Sequence, residues 1–293
     1  MVPNARMSAR LRACVTVLAA FGVTACGDDR TFDHVVLVTI DTLRADHLGS
    51  YGYPLPTSPF IDSLAAEGVR FEQAISSSSH TAPSHASLFT SQYPARHRVL
   101  INGAALLDAG IPSMASLFRG AGFETAAVLS VEFLAQVALG FETVVDRGPR
   151  PSPWTARDAV TAAGEWFAGR DPDRRFLLWV HLYDVHSSVR LELHPDNKHR
   201  LRLLEHFRTN ADEVRSVWLE EHGLPDWAVG MPRQIENYDA QISLVDSELK
   251  RLFEVISQGA PSDRILWIIT ADHGEGLGNH GHRGHGKYLY QEQ

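Results

Sequence analysis

The stretch Ile265-Leu266-Trp267-Ile268-Ile269-Thr270-Ala271-Asp272-His273-Gly274 decides the fold of this chain. Its first five residues form an apolar run that is typical of a buried strand in a parallel sheet. The Asp-His pair then places a carboxylate and an imidazole at the carboxyl end of the strand, where open α/β sheets bind ligands. A polar turn after a core strand is the alternative. A second segment of the same kind argues against it, because the β-branched run 35–40 stops at Asp41.

Between these two segments, strand patterns and helix patterns alternate. This alternation predicts a mostly parallel sheet with helices on both faces. Residues 189–233 carry many charges, and we expect them to form a helical insertion over the rim of the site. The predicted strands are 35–40, 69–75, 125–129, 176–182 and 265–269, and the predicted helices are 59–67 with Ser58 as its cap, 83–89, 114–120, 155–169 and 235–256.

Composition indicates a globular protein that does not bind nucleic acid. The chain has 293 residues, of which 44% are hydrophobic and 21% charged, and these are ordinary values for a globular domain. The formal net charge is −8, and no long basic run is present. Nucleic-acid binding requires clustered Lys and Arg side chains, so this class of partner is excluded.

The amino terminus has the pattern of an export signal. Arg6, Arg10 and Arg12 give it a positive start, and residues 13–23 form an apolar stretch too short to span a bilayer. The stretch leads into Val-Thr-Ala-Cys, ending at Cys26, which resembles a bacterial lipoprotein processing site. An ordinary secretory signal with an incidental cysteine is the alternative.

This pattern divides the chain into a lipoprotein signal peptide at 1–25, a tether at 26–33 and one catalytic domain at 34–293. Cleavage before Cys26 removes three arginines and no acidic residue, so the mature charge becomes −8 − 3 = −11. We expect an exported bacterial lipoprotein of the cell envelope, anchored to the membrane through lipidated Cys26, at the outer membrane or the periplasmic face.

Several motifs, in order, carry a resemblance to a known family. They are Asp41-Thr42-Leu43-Arg44-Ala45-Asp46, Thr81-Ala82-Pro83-Ser84-His85, His181-Leu182-Tyr183-Asp184-Val185-His186, and Asp272-His273 with His285-Gly286. From about Val35 to Glu292 the chain resembles the sulfatase branch of the alkaline phosphatase superfamily. The resemblance implies a three-layer α/β sandwich. Members of this branch continue into a smaller carboxyl-terminal subdomain, whereas this chain stops eight residues after His285, so we expect a truncated sequence without that subdomain.

The resemblance also implies a metal centre. It assigns one divalent metal ion to Asp41, Thr81, Asp272 and His273. A carboxylate pair plus an imidazole suits zinc or manganese more than calcium, which prefers oxygen ligands throughout. Zinc or manganese is therefore favoured, with calcium or magnesium possible.

Thr81 occupies the position of the sulfatase cysteine or serine that is converted to formylglycine. Threonine is not a substrate for that conversion, so the resemblance favours a covalent phosphothreonine over an aldehyde hydrate. His85 replaces the arginine that supports the modified nucleophile, in agreement with this change. In the alternative interpretation, Thr81 merely caps the helix that follows.

Two further histidines are candidate catalytic residues. His186 and His285 could contact the ester oxygens or protonate the leaving group, since an imidazole titrates near neutral pH. A structural role is equally plausible for His186 taken alone. Arg44 and Asp46 are expected to brace the loop after the first strand.

His280 and His282 leave two alternatives open. Either they form a second metal site with Asp184, His186 or His285, or they are solvated loop residues, which is the favoured interpretation.

The sequence therefore predicts a metal-dependent hydrolase or transferase of anionic esters, carried on small molecules, glycans or lipids, with phosphate favoured by Thr81. A sulfuric ester hydrolase of the arylsulfatase type is the first alternative. A non-catalytic lipoprotein that binds ligands is the second, because residues 129–133 lack the lysine and histidine with which sulfatases grip sulfate. No pattern in the sequence encodes the leaving group or the oligomeric state.

Overall fold

Five runs rich in aliphatic and β-branched residues form the central sheet of the protein. The structure is a computed structural model that describes residues 32–103, 107–146, 148, 152–186 and 232–287. The strands are β1 (His34–Ile40), β2 (Glu124–Leu129), β3 (Thr143–Asp146), β4 (Phe176–Leu182) and β5 (Ile265–Ala271).

All neighbouring pairs in this sheet are parallel, and the strand order is β3-β2-β4-β1-β5. The carboxyl ends of the strands therefore meet at one edge. Ile40 pairs with Leu182 on one side and with Ala271 on the other. This register brings the residues after β1 and β5, Asp41 and Asp272, to the same edge.

Helices cover both faces of the sheet. They are α1 (Pro59–Glu67), α2 (Thr81–Thr90), α3 (Pro94–His97), α4 (Met114–Gly120), α5 (Ala156–Gly169) and α6 (Pro232–Ser257). Short 3₁₀ turns lie at Ala45–His47, Gly49–Tyr51, Glu132–Gln136, Ser262–Arg264 and Asn279–Gly281. After β5 the chain forms a small antiparallel hairpin of β6 (Gly276–Leu277) and β7 (Arg283–Gly284).

Alternate residues of each strand pack on opposite faces, as the pleat of a strand requires. Val36 and Val38 belong to an apolar cluster formed with α5 and α6. Val35 and Leu37 belong to a second cluster, formed with α2 and α4. One apolar cluster lies on each face of the sheet, between the sheet and a layer of helices. This arrangement confirms the predicted three-layer α/β architecture.

Most of the predicted elements are present within one to three residues of their predicted bounds, but the strand predicted at 69–75 is wrong. This segment is irregular, and its apolar side chains Val69, Phe71 and Ile75 are all exposed. The prediction rested on alternation alone. A strand also needs a neighbour to pair its backbone groups, and no described strand lies beside this segment.

The strand predicted at 265–269 is present and parallel to its neighbour, but it is less buried than predicted. β5 is the last strand of the described sheet and pairs only with β1 there. Ile265 is buried, whereas Ile268 is 37% exposed. The apolar run predicted that both faces of this strand would be buried. Because β5 is the outermost strand, the described residues do not cover it fully.

Some predictions fall outside the described residues. These are the signal peptide and tether up to residue 31, nearly all of the insertion at 189–233, and the last residues of the chain, 288–293. Within the described ranges, none of the helices combines the length and the apolar character that a membrane span requires.

The start of α1 is stabilised by a residue that lies far away in the sequence. Ser58 is at the N-cap position, as predicted, but its hydroxyl makes no capping bond and donates to Asp62 instead. The free amides of Phe60 and Ile61 donate to the Asp246 carboxylate of α6, at 2.8–3.1 Å. Asp246 therefore both caps α1 and ties it to α6.

Replacing this carboxylate should destabilise the fold. We expect Asp246→Ala to lower the free energy of unfolding by about 1–3 kcal/mol, because two buried amides lose their acceptor. Asp246→Asn keeps one acceptor oxygen and should lose less. Urea unfolding measures both changes. The exposed Asp263 gives a control, Asp263→Ala, expected to stay within about 0.5 kcal/mol of the parent. Equal stability of Asp246→Ala and this control would contradict the cap.

Candidate active site and metal centre

Two buried carboxylates lie side by side at the carboxyl edge of the sheet. Asp41 follows β1 and Asp272 follows β5, and their exposed fractions are 0% and 2%. Together with His273 they form a group in which one ligand atom from each residue lies within 4.8 Å of the others. No other group of this kind was found in the described residues.

Asp272 is held in place by the backbone. Its Oδ1 accepts from the amides of Thr42, at 3.1 Å, and His273, at 2.9 Å. Its carbonyl oxygen accepts from the hydroxyls of Ser76 and Ser84. These bonds leave Oδ2 as the atom available to a ligand.

The loop after β1 is held as firmly. Thr42 adopts a left-handed conformation, with φ of 57°, which is unfavourable for a β-branched residue. The Tyr238 hydroxyl of α6 donates to the Thr42 carbonyl at 2.6 Å and accepts from the Arg44 amide at 2.8 Å. Arg44 also bonds to Asp46 and to the carbonyl of Glu275. Arg44 and Asp46 thus make the bracing contacts expected of them.

His273 presents one nitrogen to the carboxylates. Its Nδ1 lies 2.9 Å from the carbonyl oxygen of Gly274, which can only accept, so the ring proton is on Nδ1. Nε2 faces the site, 3.4 Å from Asp272 Oδ2 and 3.4 Å from the hydroxyl of Thr81. An imidazole whose other nitrogen is bonded to a carbonyl has the usual arrangement of a metal ligand.

Thr81 is the first residue of α2 and points its hydroxyl into the same space. Its Oγ1 donates to Asp41 Oδ2 at 3.3 Å and lies 3.4 Å from His273 Nε2. The N-cap position of α2 is occupied by His80, whose side chain makes no capping bond, and the free amide of Ala82 donates to Asn102 instead. The alternative in which Thr81 serves only as a helix cap is therefore wrong.

These residues fit a divalent cation. Of the described atoms, Asp41 Oδ1 and Asp272 Oδ2 are buried without a hydrogen-bond partner. Burial and the neighbouring Asp272 raise the pKa of Asp41 well above its usual range. Burial also acts to raise the pKa of Asp272, but the imidazoles around it, His273 first, lower it. Two adjacent buried carboxylates need positive charge to remain ionised together, and a divalent cation with oxygen and nitrogen ligands supplies it.

His285 and His186 line the side of the site near the hairpin. The His285 ring lies 4.5 Å from that of His273 and 4.8 Å from that of His186. Burial lowers the pKa of His285, but the hydrogen bond and charge of Glu275 more than offset this, so the pKa lies above its ordinary value. Burial, followed by the charge of His285, lowers the pKa of His186 to about 4. The two candidates therefore differ, since only His285 is favoured in its protonated form.

Three residues beside the site were not predicted from the sequence. His181 is the second-last residue of the buried strand β4 and lies 3.5 Å from Asp41, with no hydrogen bond to either ring nitrogen among the described residues. Glu275 is buried and contacts His285. Asn102 accepts from the amide of Ala82, next to Thr81. A lone histidine in an apolar strand was a usable signal for His181, whereas Asn102 had none.

His280 and His282 are not part of the metal-binding group. His280 is exposed, as expected of a solvated loop residue, but His282 is buried. The expectation of solvation is therefore wrong for His282. It lies between β6 and β7, where its ring packs against the backbone of Gly276.

Comparisons with known proteins identify the family and the fold of the chain. The family model described as Sulfatase matches residues 33–293. The choline-sulfatase of Rhizobium meliloti is 24% identical over 300 residues, covering 85% of this chain and 58% of that protein. The aligned region thus spans less than two thirds of this relative.

Solved structures show the same fold. A Bacteroides fragilis structure assigned to the sulfatases has a TM-score of 0.70 at 21% identity, covering 90% of this chain and 66% of that one. The phosphonate monoester hydrolase of Agrobacterium radiobacter has a TM-score of 0.65 at 19% identity, covering 88% and 66%. The carboxyl-terminal periplasmic domain of EcEptC from Escherichia coli, in complex with zinc, has a TM-score of 0.63 at 19% identity, covering 87% and 68%.

A divalent cation should stabilise the protein through the carboxylate pair. After chelator treatment, adding zinc or manganese at about 100 times the dissociation constant should stabilise the fold by about 2.7 kcal/mol. For a domain of this size we expect the thermal midpoint to rise by roughly 5–10 °C. His273→Ala should abolish most of the rise, measured by thermal unfolding. His280→Ala, which removes an exposed imidazole, is the control and should keep it. An unchanged rise in His273→Ala would exclude this metal centre.

Proposed function

The chain belongs to the sulfatase family, and from this premise we propose that it cleaves or transfers anionic esters with Thr81 as the nucleophile and with phosphate preferred over sulfate. The observation that carries this proposal is the position of the Thr81 hydroxyl, which contacts Asp41 and His273 at once. A buried hydroxyl at the amino end of a helix, between a carboxylate and an imidazole, has the surroundings of an activated nucleophile.

Asp41, Thr81, Asp272 and His273 would hold the cation. When bound, a divalent cation lowers the pKa of a hydroxyl and neutralises charge on the ester oxygens. The chain itself contributes the orientation. The Thr81 hydroxyl donates its proton in a hydrogen bond to Asp41, so Asp41 is placed to accept that proton when the hydroxyl is deprotonated.

The first step forms a bond from Thr81 Oγ1 to phosphorus and breaks the bond from phosphorus to the leaving oxygen. His285 supplies the proton that the leaving oxygen needs, because the hydrogen bond and charge of Glu275 raise the pKa of His285 and so favour its protonated form. In the second step the oxygen of a water or an acceptor alcohol bonds to phosphorus, the bond from phosphorus to Thr81 Oγ1 breaks, and the incoming hydroxyl gives its proton to His285. The proton passed to Asp41 returns to Thr81 Oγ1 and restores the hydroxyl. His186 stays neutral and orients the ester oxygens rather than donating to the leaving group.

Threonine favours phosphate because of the second step. In a formylglycine hydrate one hydroxyl carries the sulfate; the second hydroxyl then loses its proton and forms the aldehyde, and the bond from carbon to the sulfated oxygen breaks to release sulfate. Threonine has no such hydroxyl, so a sulfated Thr81 would have to be hydrolysed directly. Phosphoryl transfer through an alkoxide meets no comparable obstacle. Similarity to a phosphonate monoester hydrolase as well as to a choline-sulfatase supports a fold that accepts either tetrahedral centre.

A sulfuric ester hydrolase is the alternative within the same chemistry, and the family match favours it. A non-catalytic binding protein is less well supported. A decayed site has no reason to keep two buried carboxylates, an imidazole and a hydroxyl converged at one point.

Removing the hydroxyl should abolish turnover without removing the cation site. We expect Thr81→Ala to lower kcat by at least about 10³-fold, because the nucleophile is lost. Thr81→Ser keeps a hydroxyl and should retain measurable turnover. The assay compares paired aryl phosphate and aryl sulfate substrates on the zinc-loaded chain, and thermal shift checks that zinc still binds to Thr81→Ala. Equal rates on the two substrates, or activity surviving in Thr81→Ala, would refute the proposal.

The amino-terminal pattern supports a location for this activity. We infer that Cys26 becomes the lipidated first residue of an exported protein at the cell envelope, and that Gly27 after it favours the outer membrane if the host has two. Expression in a bacterial host with a labelled fatty acid should label the protein. Cys26→Ala should lose the label, whereas Cys14→Ala, within the predicted signal, should keep it. A label that persists in Cys26→Ala would contradict lipidation at this residue.

A further inference from the structure

His85 is completely buried beneath the candidate site, in the second turn of α2. It takes no part in the steps assigned to Thr81 and His285, yet both of its ring nitrogens are engaged. Nδ1 lies 2.8 Å from the carbonyl oxygen of Thr81, and Nε2 lies 2.9 Å from Thr39 Oγ1. The ring is also 5.2 Å from that of Trp179, which packs beneath it.

The partners determine where each proton lies. The indole N–H of Trp179 can only donate, and it donates to Thr39 Oγ1 at 2.9 Å. The Thr39 hydroxyl is then free to donate its own proton to His85 Nε2. The Thr81 carbonyl can only accept, so His85 Nδ1 must carry a proton. A chain of donors can therefore run from Trp179 through Thr39 and His85 to Thr81.

We propose that His85 is a positioning residue whose Nδ1–H donates to the carbonyl of Thr81 and thereby sets the direction of the Thr81 hydroxyl. This inference rests on the proposed function, in which Thr81 is the nucleophile. The bonded carbonyl and the hydroxyl belong to the same residue, so the bond from His85 restricts the backbone position from which the Thr81 hydroxyl projects. A displacement of about 1 Å at a reacting atom costs on the order of 100-fold in rate.

Nδ1 of His85 also lies 3.7 Å from Asp272 Oδ2, which is beyond hydrogen-bonding distance. Its hydrogen bond is to the Thr81 carbonyl, so His85 acts on the backbone of Thr81 rather than on the carboxylate pair.

Two amide substitutions distinguish the contact made by Nδ1 from the contact made by Nε2. The amide of asparagine lies at the level of Nδ1, so His85→Asn keeps a donor for the Thr81 carbonyl. The amide of glutamine lies at the level of Nε2, so His85→Gln keeps the contact to Thr39 and loses the bond to the Thr81 carbonyl. With para-nitrophenyl phosphate and the zinc-loaded full chain, we expect kcat to fall at least about tenfold in His85→Gln, with KM within about threefold. His85→Asn should stay within about threefold of the parent in kcat.

A merely structural role does not give this order, because both variants are neutral amides and glutamine fills the space better. Equal kcat values for the two variants, with both folded, would overturn the inference. The proposed function is judged separately by Thr81→Ala. If that variant is inactive while the two His85 variants match each other, only the positioning inference fails.

The tautomer can be measured without any activity. In protein labelled with ¹⁵N-histidine, we expect the ring signals of His85, identified by their absence in His85→Gln, to show a proton on Nδ1 and a bare Nε2. Thr39→Val keeps the shape of the side chain and removes the hydroxyl, so it should shift the ring toward a mixture of tautomers. A proton on Nε2 in the parent protein would overturn the inference whatever the kinetics show.

Discussion

The repulsion between two buried carboxylates, Asp41 and Asp272, is the constraint on which the site depends. Each follows a strand, and the parallel register of β1 and β5 places them, both buried, at the same edge. Burial alone would favour their protonated forms. The site opposes this with backbone amides on Asp272 Oδ1, with the imidazole of His273, and with atoms free to bind a cation. Two ionised carboxylates at this place repel each other, and a bound divalent ion would offset that repulsion.

Precision in this site comes from elements that carry no chemistry. The left-handed Thr42 is held by two hydrogen bonds: its carbonyl accepts from the Tyr238 hydroxyl of α6, and its amide donates to the Asp272 carboxylate. Arg44 links the same loop to the segment that carries Glu275. Distant helices and the hairpin therefore restrain the loop after β1, and through it the direction of Asp41. Such restraint is what a reacting group requires, because small displacements cost large factors in rate.

Sequence patterns succeeded wherever local periodicity and burial agreed. Residues 176–182 and 235–256 have apolar patterns that match their buried faces, and both elements were predicted correctly. The strand at 69–75 failed because alternation says nothing about a pairing partner. Ser58 has the right residue type and position for a cap, yet Asp246, nearly two hundred residues later, binds the amides. Competition between a local and a distant acceptor cannot be judged from neighbouring residues alone.

The sequence by itself determined the fold class and the residue types that converge at the edge of the sheet. Asp41 and Asp272 each follow a predicted strand. The carboxyl ends of parallel strands meet at one edge of the sheet, and this rule alone predicts that the two residues lie close together. The tertiary structure alone decided the environment of each group. Burial depth, the bond from Glu275 to His285, the approach of His181 and the proton on His85 all arise between distant segments. Hydrogen bonds and desolvation depend on three-dimensional neighbours, and for that reason the residue types were predictable while their protonation and orientation were not.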